Sequence, residues 1–144
     1  MSHALSFTEP TSVRRGRSGV IALWVVQIAL AGMFLLAGGS KLLGVPAMVA
    51  LFNTIGIGQW FRYVTGLIEV GSAVALLVPS IAVFGALALV PTMIGSVATE
   101  LFLVGDSAVP PAVLLLGAIG VVWARRDQLF GALRSRADSH GVTG

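Results

Sequence analysis

From Val20 to Leu36 the chain runs 17 residues without a charge and with one amide, Gln27. A helix of about 20 such residues crosses the ~30 Å hydrocarbon layer of a bilayer. In hydrocarbon each backbone N–H and C=O must be satisfied internally, so a run of this kind has few folds open to it. No heptad, strand alternation or clear repeat competes with a helix. Three more apolar runs follow, and composition agrees with them. The chain is 56% hydrophobic and 10% charged, with mean hydropathy +0.95, against about 25% charge in a soluble domain. The expectation is an all-α integral membrane protein, a four-helix transmembrane bundle.

The expected spans are Val20–Leu43, Phe61–Val78, Ser80–Val104 and Val109–Ala124. Pro91 falls inside the third and predicts a kink there, because proline removes one helical hydrogen bond. Pro110 and Pro111 suit the first turn of the fourth. That span is short and can continue into the basic segment behind it. Between the first two spans, Pro46–Ile55 is apolar but too short to cross, and it reads as a short interfacial helix closed by Gly56 and Gly58. A secretory signal is the rival reading of the first run. Signal cores are about 7–15 residues long, and the later spans favour retention as a helix. No cysteine is present for a lipoprotein anchor.

Charge sets the expected topology. Arg14, Arg15 and Arg17 precede the first span; Arg125, Arg126, Arg134 and Arg136 follow the last. An even number of spans puts both flanks on one side, and the positive-inside rule makes that side the cytoplasm. Residues 1–18 then form a cytoplasmic polar tail, 19–126 the membrane domain and 127–144 a cytoplasmic basic tail. Trp24, Trp60 and Trp123 fall near span ends, as interfacial aromatic residues do. The basic residues flank spans and form no stripe, so nucleic acid is not an expected partner; the lipid bilayer is.

The informative residues are the charges inside the spans. Lys41 closes the first span, Arg62 opens the second, and Glu69 lies seven residues on, about 10 Å deeper. Glu100 comes near the end of the third. Two cations and two carboxylates thus gather in the outer half of the membrane, with cancelling signs. Arg62, Thr65 and Glu69 share one helix face, and Thr92, Ser96 and Glu100 recur every fourth residue on another. The simplest packing sets these two stripes together, with Lys41 reaching in. An ionisable residue in a span costs about 2.5–3.5 kcal/mol on insertion scales, so it is kept for pairing or for function. A structural clamp and a functional site are both open readings of Glu69. Gln27, alone in the inner half of the first span, reads as an interhelical hydrogen-bond partner. Small residues such as Gly38, Gly66 and Gly71 allow close helix packing, within the bundle or between copies in a homo-oligomer.

Several chemistries are excluded. Without cysteine there is no thiol–disulfide or thiolate-metal chemistry by this chain alone. His3 and His140 lie in tails and make a poor metal site. No phosphate-binding loop, dinucleotide fingerprint, serine-hydrolase elbow or zincin motif is present.

The segments MFLLAGGSKLLGVP, YVTGLIEVGSAVALLVP and GSVATELFL resemble the DoxX-like family of small four-helix bacterial membrane proteins. The resemblance covers about Gln27 to Arg126. It is carried by the small residues before Lys41, by Pro46, Phe52 and Gly56, and by Tyr63, Gly66, Glu69 and Gly71. It implies a four-helix membrane bundle, with Lys41 and Glu69 as the motif residues. It also implies work beside redox enzymes, since some relatives are partners of quinone-linked sulfur oxidation and others resemble assembly factors. Glu100 stands where relatives often have histidine, which sets this chain's chemistry at that position apart.

Two function classes follow. One is an accessory subunit that scaffolds or assists a redox-linked membrane complex without catalysis of its own. The other is a quinone-associated oxidoreductase subunit using Lys41, Arg62, Glu69 and Glu100, supported by Thr65, Ser96, Thr92 and Tyr63. A proton or small-solute carrier ranks last, because no inverted repeat is visible.

Overall fold

The computed structural model describes residues 16–140, with side chains as far as Ser135. Most of the polar tail expected over 1–18, and the last four residues of the chain, lie outside the described residues. Among the described residues all regular structure is helical. The elements are α1 (Arg17–Leu43), α2 (Pro46–Ile55), α3 (Gln59–Leu77), α4 (Ala82–Thr99), a π-helical turn (Glu100–Val104), α5 (Val109–Ala124) and α6 (Arg126–His140).

Glycine and proline place the boundaries. α1 ends where Gly44 turns left-handed at φ 69°, so that Gly44 N–H reaches Lys41 O and Val45 N–H reaches Ser40 O. This is a Schellman closure, and it satisfies carbonyls the helix would otherwise leave open. Pro46 opens α2, and Gly56, at φ 76°, closes it. α4 continues through Pro91 without a break. The change of pitch comes later, where Gly105 N–H reaches back five residues to Glu100 O at 2.8 Å.

Three helices are long and apolar enough to cross a bilayer: α1, α3, and α4 with its π turn. α5 has 16 residues, a rise of about 24 Å, short of the hydrocarbon thickness. Together with α6 it passes the same test as one span bent by 54°. The bend falls where the apolar run of α5 gives way to Arg125 and Arg126.

The core is a strip of apolar side chains from four helices: Leu30, Ala31 and Phe34 of α1, Ala73 and Leu76 of α3, Ala86, Leu89 and Met93 of α4, and Ala118 and Val121 of α5. Outside it, large apolar residues such as Leu36, Leu67, Phe102 and Leu116 are exposed. That inversion suits a surface solvated by lipid. α3 packs between α1 and α4, and glycine sets both approaches. A Cβ at Gly38 would meet Gly66 O at 2.8 Å, and one at Gly85 would meet Ser72 O at 2.8 Å. Without side chains there, the backbones come close enough for small-residue packing of the membrane type.

Candidate functional site

At the Gly38–Gly66 crossing each charged residue packs against the glycine of the other helix: a Cβ on Gly66 would meet Lys41 Cβ at 3.1 Å, and one on Gly38 would meet Glu69 Cβ at 3.0 Å, so the two side chains start close enough to join. Lys41 Nζ donates to both carboxylate oxygens of Glu69, at 2.6 and 2.7 Å. Glu69 is fully buried on α3; the Lys41 side chain is 13% exposed. Pairing at that distance offsets much of the cost of burying either charge.

Arg62 is buried as well, but it takes a different role from the one its spacing suggests. Its Nη1 donates to Lys41 O, at the C-terminal end of α1, and its Nε donates to Gln59 Oε1 at 2.8 Å. A cation on the last carbonyls of a helix is favoured by the helix dipole. Arg62 therefore holds the backbone of Lys41 while Glu69 holds its ammonium. The guanidinium also lies 4.3 Å from the centre of the Tyr63 ring, which is half exposed. Gln59 continues the chain of bonds to Val49 O and Asn53 Oδ1, and so ties α2 to the start of α3. Gln59 was not a candidate from the sequence. Its only signal there is an amide close to Asn53 in an otherwise apolar connector.

The Lys41–Glu69 pair opens on a cavity of about 710 Å³ between α1, α2, α3, α4 and the first turn of α5. Its walls are mostly apolar, with Phe34, Phe52 and Phe61 among them, and α2 covers one side with Met48, Leu51 and Ile55. Thr65 and Glu69 line the α3 wall; Thr92, Ser96 and Glu100 line the α4 wall. The two polar stripes, expected to pack together, thus face each other across open space. Pro91, Pro110 and Pro111 line the same cavity.

Glu100 stands apart from the ion pair. It begins the π turn, and its Oε2 is buried with no hydrogen-bond partner. The turn closes the helix at Gly105, as π turns do at helix C-termini, and the buried polar atom without a partner calls for an explanation. The hydroxyls that line the cavity with it are occupied locally: Thr65 donates to Phe61 O and Arg62 O, Thr92 to Ala88 O, and Ser96 to Thr92 O.

A second polar group lies at the opposite end of the bundle. Gln27, fully buried, donates to Leu76 O at 2.8 Å and accepts from Arg125 Nε and Nη2 at 3.1 and 2.7 Å. Arg125 Nη1 and Gln128 Nε2 both donate to Pro79 O, at 3.2 and 2.6 Å. Gln27 is therefore an interhelical partner, as its position in an apolar run suggests, and it is not alone. Arg125, read from sequence as a flanking charge, ties the α5–α6 bend to α1 and to the α3–α4 turn. No group of three or more His, Asp or Glu suited to a metal ion occurs among the described residues.

No curated protein and no solved structure matches the chain. The DoxX-like family model matches residues 25–124, more than half of the 144 residues, and the matched segment holds Lys41, Arg62, Glu69 and Glu100. By that match this multi-pass helical membrane protein belongs to the DoxX-like family.

Proposed function

We propose that this chain is an accessory subunit of a redox-linked complex in a bacterial inner membrane, and that it holds a quinone-type amphiphile in the cavity beside Lys41 and Glu69. The observation that carries this reading is the cavity itself. It is large, walled by apolar and aromatic side chains, and polar at a few places only, the composition of a small-molecule site. An amphiphile with a planar head and an apolar tail matches that lining. No catalytic activity of the chain alone is required, because the ligand would serve a partner enzyme.

In this reading the membrane domain is 19–126. Its four spans are α1, α3, α4 with the π turn, and α5, with α6 bending away on the cytoplasmic side; α2 lies in the outer interface. The arginines at both ends support a cytoplasmic side for residues 1–18 and 127–144. Lys41, Arg62, Glu69 and Glu100 then lie toward the outer face, with Thr65, Thr92 and Ser96 on the cavity walls and Tyr63 bracing Arg62.

A photoactivatable azidoquinone tests the site in native membranes. Label is expected on the peptides carrying Phe52, Met93 and Pro111, with competition by unlabelled quinone. Label spread over lipid-facing residues such as Leu36 and Leu116, without competition, would sink the reading. Cross-linking from the same membranes tests the accessory role, which predicts a redox enzyme among the captured partners.

A further inference from the structure

The hydrogen bonds already made around the cavity restrict what its occupant can bring. Ser40, Thr65, Thr92 and Ser96 line the cavity, and all four spend their hydroxyl hydrogens on carbonyls of their own helices. What each can still offer inward is a lone pair. Lys41 directs two of its three ammonium hydrogens to Glu69. Glu100 adds an oxygen that is buried and unpartnered. The Thr99 hydroxyl can serve either way, and one Lys41 hydrogen remains. The unfilled capacity is thus mainly that of acceptors.

We infer that the cavity selects a head group that donates hydrogen bonds, and so prefers the reduced quinol to the oxidised quinone. This rests on the reading above that the cavity holds a quinone-type amphiphile. A quinone presents carbonyl oxygens, which would face other lone pairs over most of the polar lining. A quinol presents hydroxyls, and a hydroxyl completes Glu100 Oε2 whichever way the carboxyl proton lies, because it can donate or accept. Buried acceptors left unpaired are penalised more than paired ones are rewarded, so the mismatch falls on the oxidised form. The aromatic walls do not discriminate, since both forms are planar rings. Glu100 is the specificity-determining residue in this scheme, and the Lys41–Glu69 pair is the fixed polar wall.

The full chain in lipid nanodiscs, titrated anaerobically by calorimetry with decylubiquinol or decylubiquinone against empty discs, tests the preference. The quinol is expected to bind roughly ten-fold tighter, the difference of one well-made hydrogen bond. Glu100→Gln, whose amide can donate to a carbonyl, is expected to bring the two forms within about two-fold. A redox-silent pair, para-decylphenol and its methyl ether, keeps the test independent of that variant's folding, and the phenol is expected to bind tighter. Equal affinity for quinol and quinone, or a preference that survives Glu100→Gln undiminished, overturns the inference and leaves the amphiphile site standing. Failure of every probe to bind overturns both.

Discussion

Gly38 and Gly66 face each other across the α1–α3 contact so closely that a Cβ on either would lie within 3.0 Å of the other's carbonyl oxygen. Three residues beyond each glycine stand the two members of the buried ion pair. The crossing and the pair are one device, since the glycines bring the backbones near enough for Lys41 to chelate Glu69.

Gly38→Ala is therefore expected to force α1 and α3 apart. Overpacking of this kind costs about 1–3 kcal/mol. Gly39→Ala is the matched control, because a Cβ there meets nothing within 4 Å. Thermal unfolding in detergent should separate the two variants clearly. Equal midpoints would mean that the close approach is not maintained in the protein.

Breaking the ion pair from one side should be worse than removing it. Lys41→Met leaves a buried carboxylate without its cation, a loss of about 3–5 kcal/mol, whereas a buried pair can often be replaced by apolar side chains at little net cost. The double variant Lys41→Met with Glu69→Leu is expected to recover most of that stability. A double-mutant cycle on unfolding midpoints measures it. A double variant as unstable as the sum of the singles would deny the coupling.

Arg62 should behave as a cap on α1. Arg62→Ala removes its bonds to Lys41 O and to Gln59, and is expected to cost about 1.5–3 kcal/mol, the range for hydrogen bonds to a charged group. Arg62→Lys should restore little, because Lys41 O and Gln59 Oε1 are met by two separate guanidinium nitrogens, and one ammonium nitrogen cannot stand in both places. If lysine restores the wild-type midpoint, charge alone accounts for the position.

At the other end, Gln27→Leu should loosen the α5–α6 bend. It removes the acceptor for Arg125 and the donor to Leu76 O, at a cost of about 1–3 kcal/mol for the buried groups left unpaired. Hydrogen exchange is expected to rise across 125–135 while α3 near Gly66 stays protected. An unchanged exchange pattern at the bend would show that Arg125 is held without Gln27.

Much of this protein was legible before any coordinates. The apolar runs predict α1, α3, α4 and α5 to within a few residues, because in hydrocarbon a helix satisfies its own backbone and its length follows from bilayer thickness; α6 lies in the polar segment that reads only as a basic tail. Pro46 and Gly56 bound α2 as read, since their backbone preferences are local. Lys41 and Glu69 stood out because a charge in a span is costly and needs a reason.

Partnership was not legible. Arg62 and Glu69 share a helix face by spacing, yet Arg62 turns to a carbonyl of α1, because the Schellman end of that helix lies beside it and offers an acceptor no sequence pattern displays. The stripe of Thr92, Ser96 and Glu100 is visible at a spacing of four, but whether it meets another stripe or a void depends on how far apart α3 and α4 stand at that end. Gly85 brings those helices together near Ser72, and α2 with the prolines of α5 frames the space beyond. The sequence by itself determined α1 to α5, their approximate ends and the charges they must bury, which follow from local backbone chemistry and the cost of charge in hydrocarbon. Only the tertiary structure decided which charge meets which, and left Glu100 facing a cavity, because those outcomes depend on distances between helices far apart in the chain.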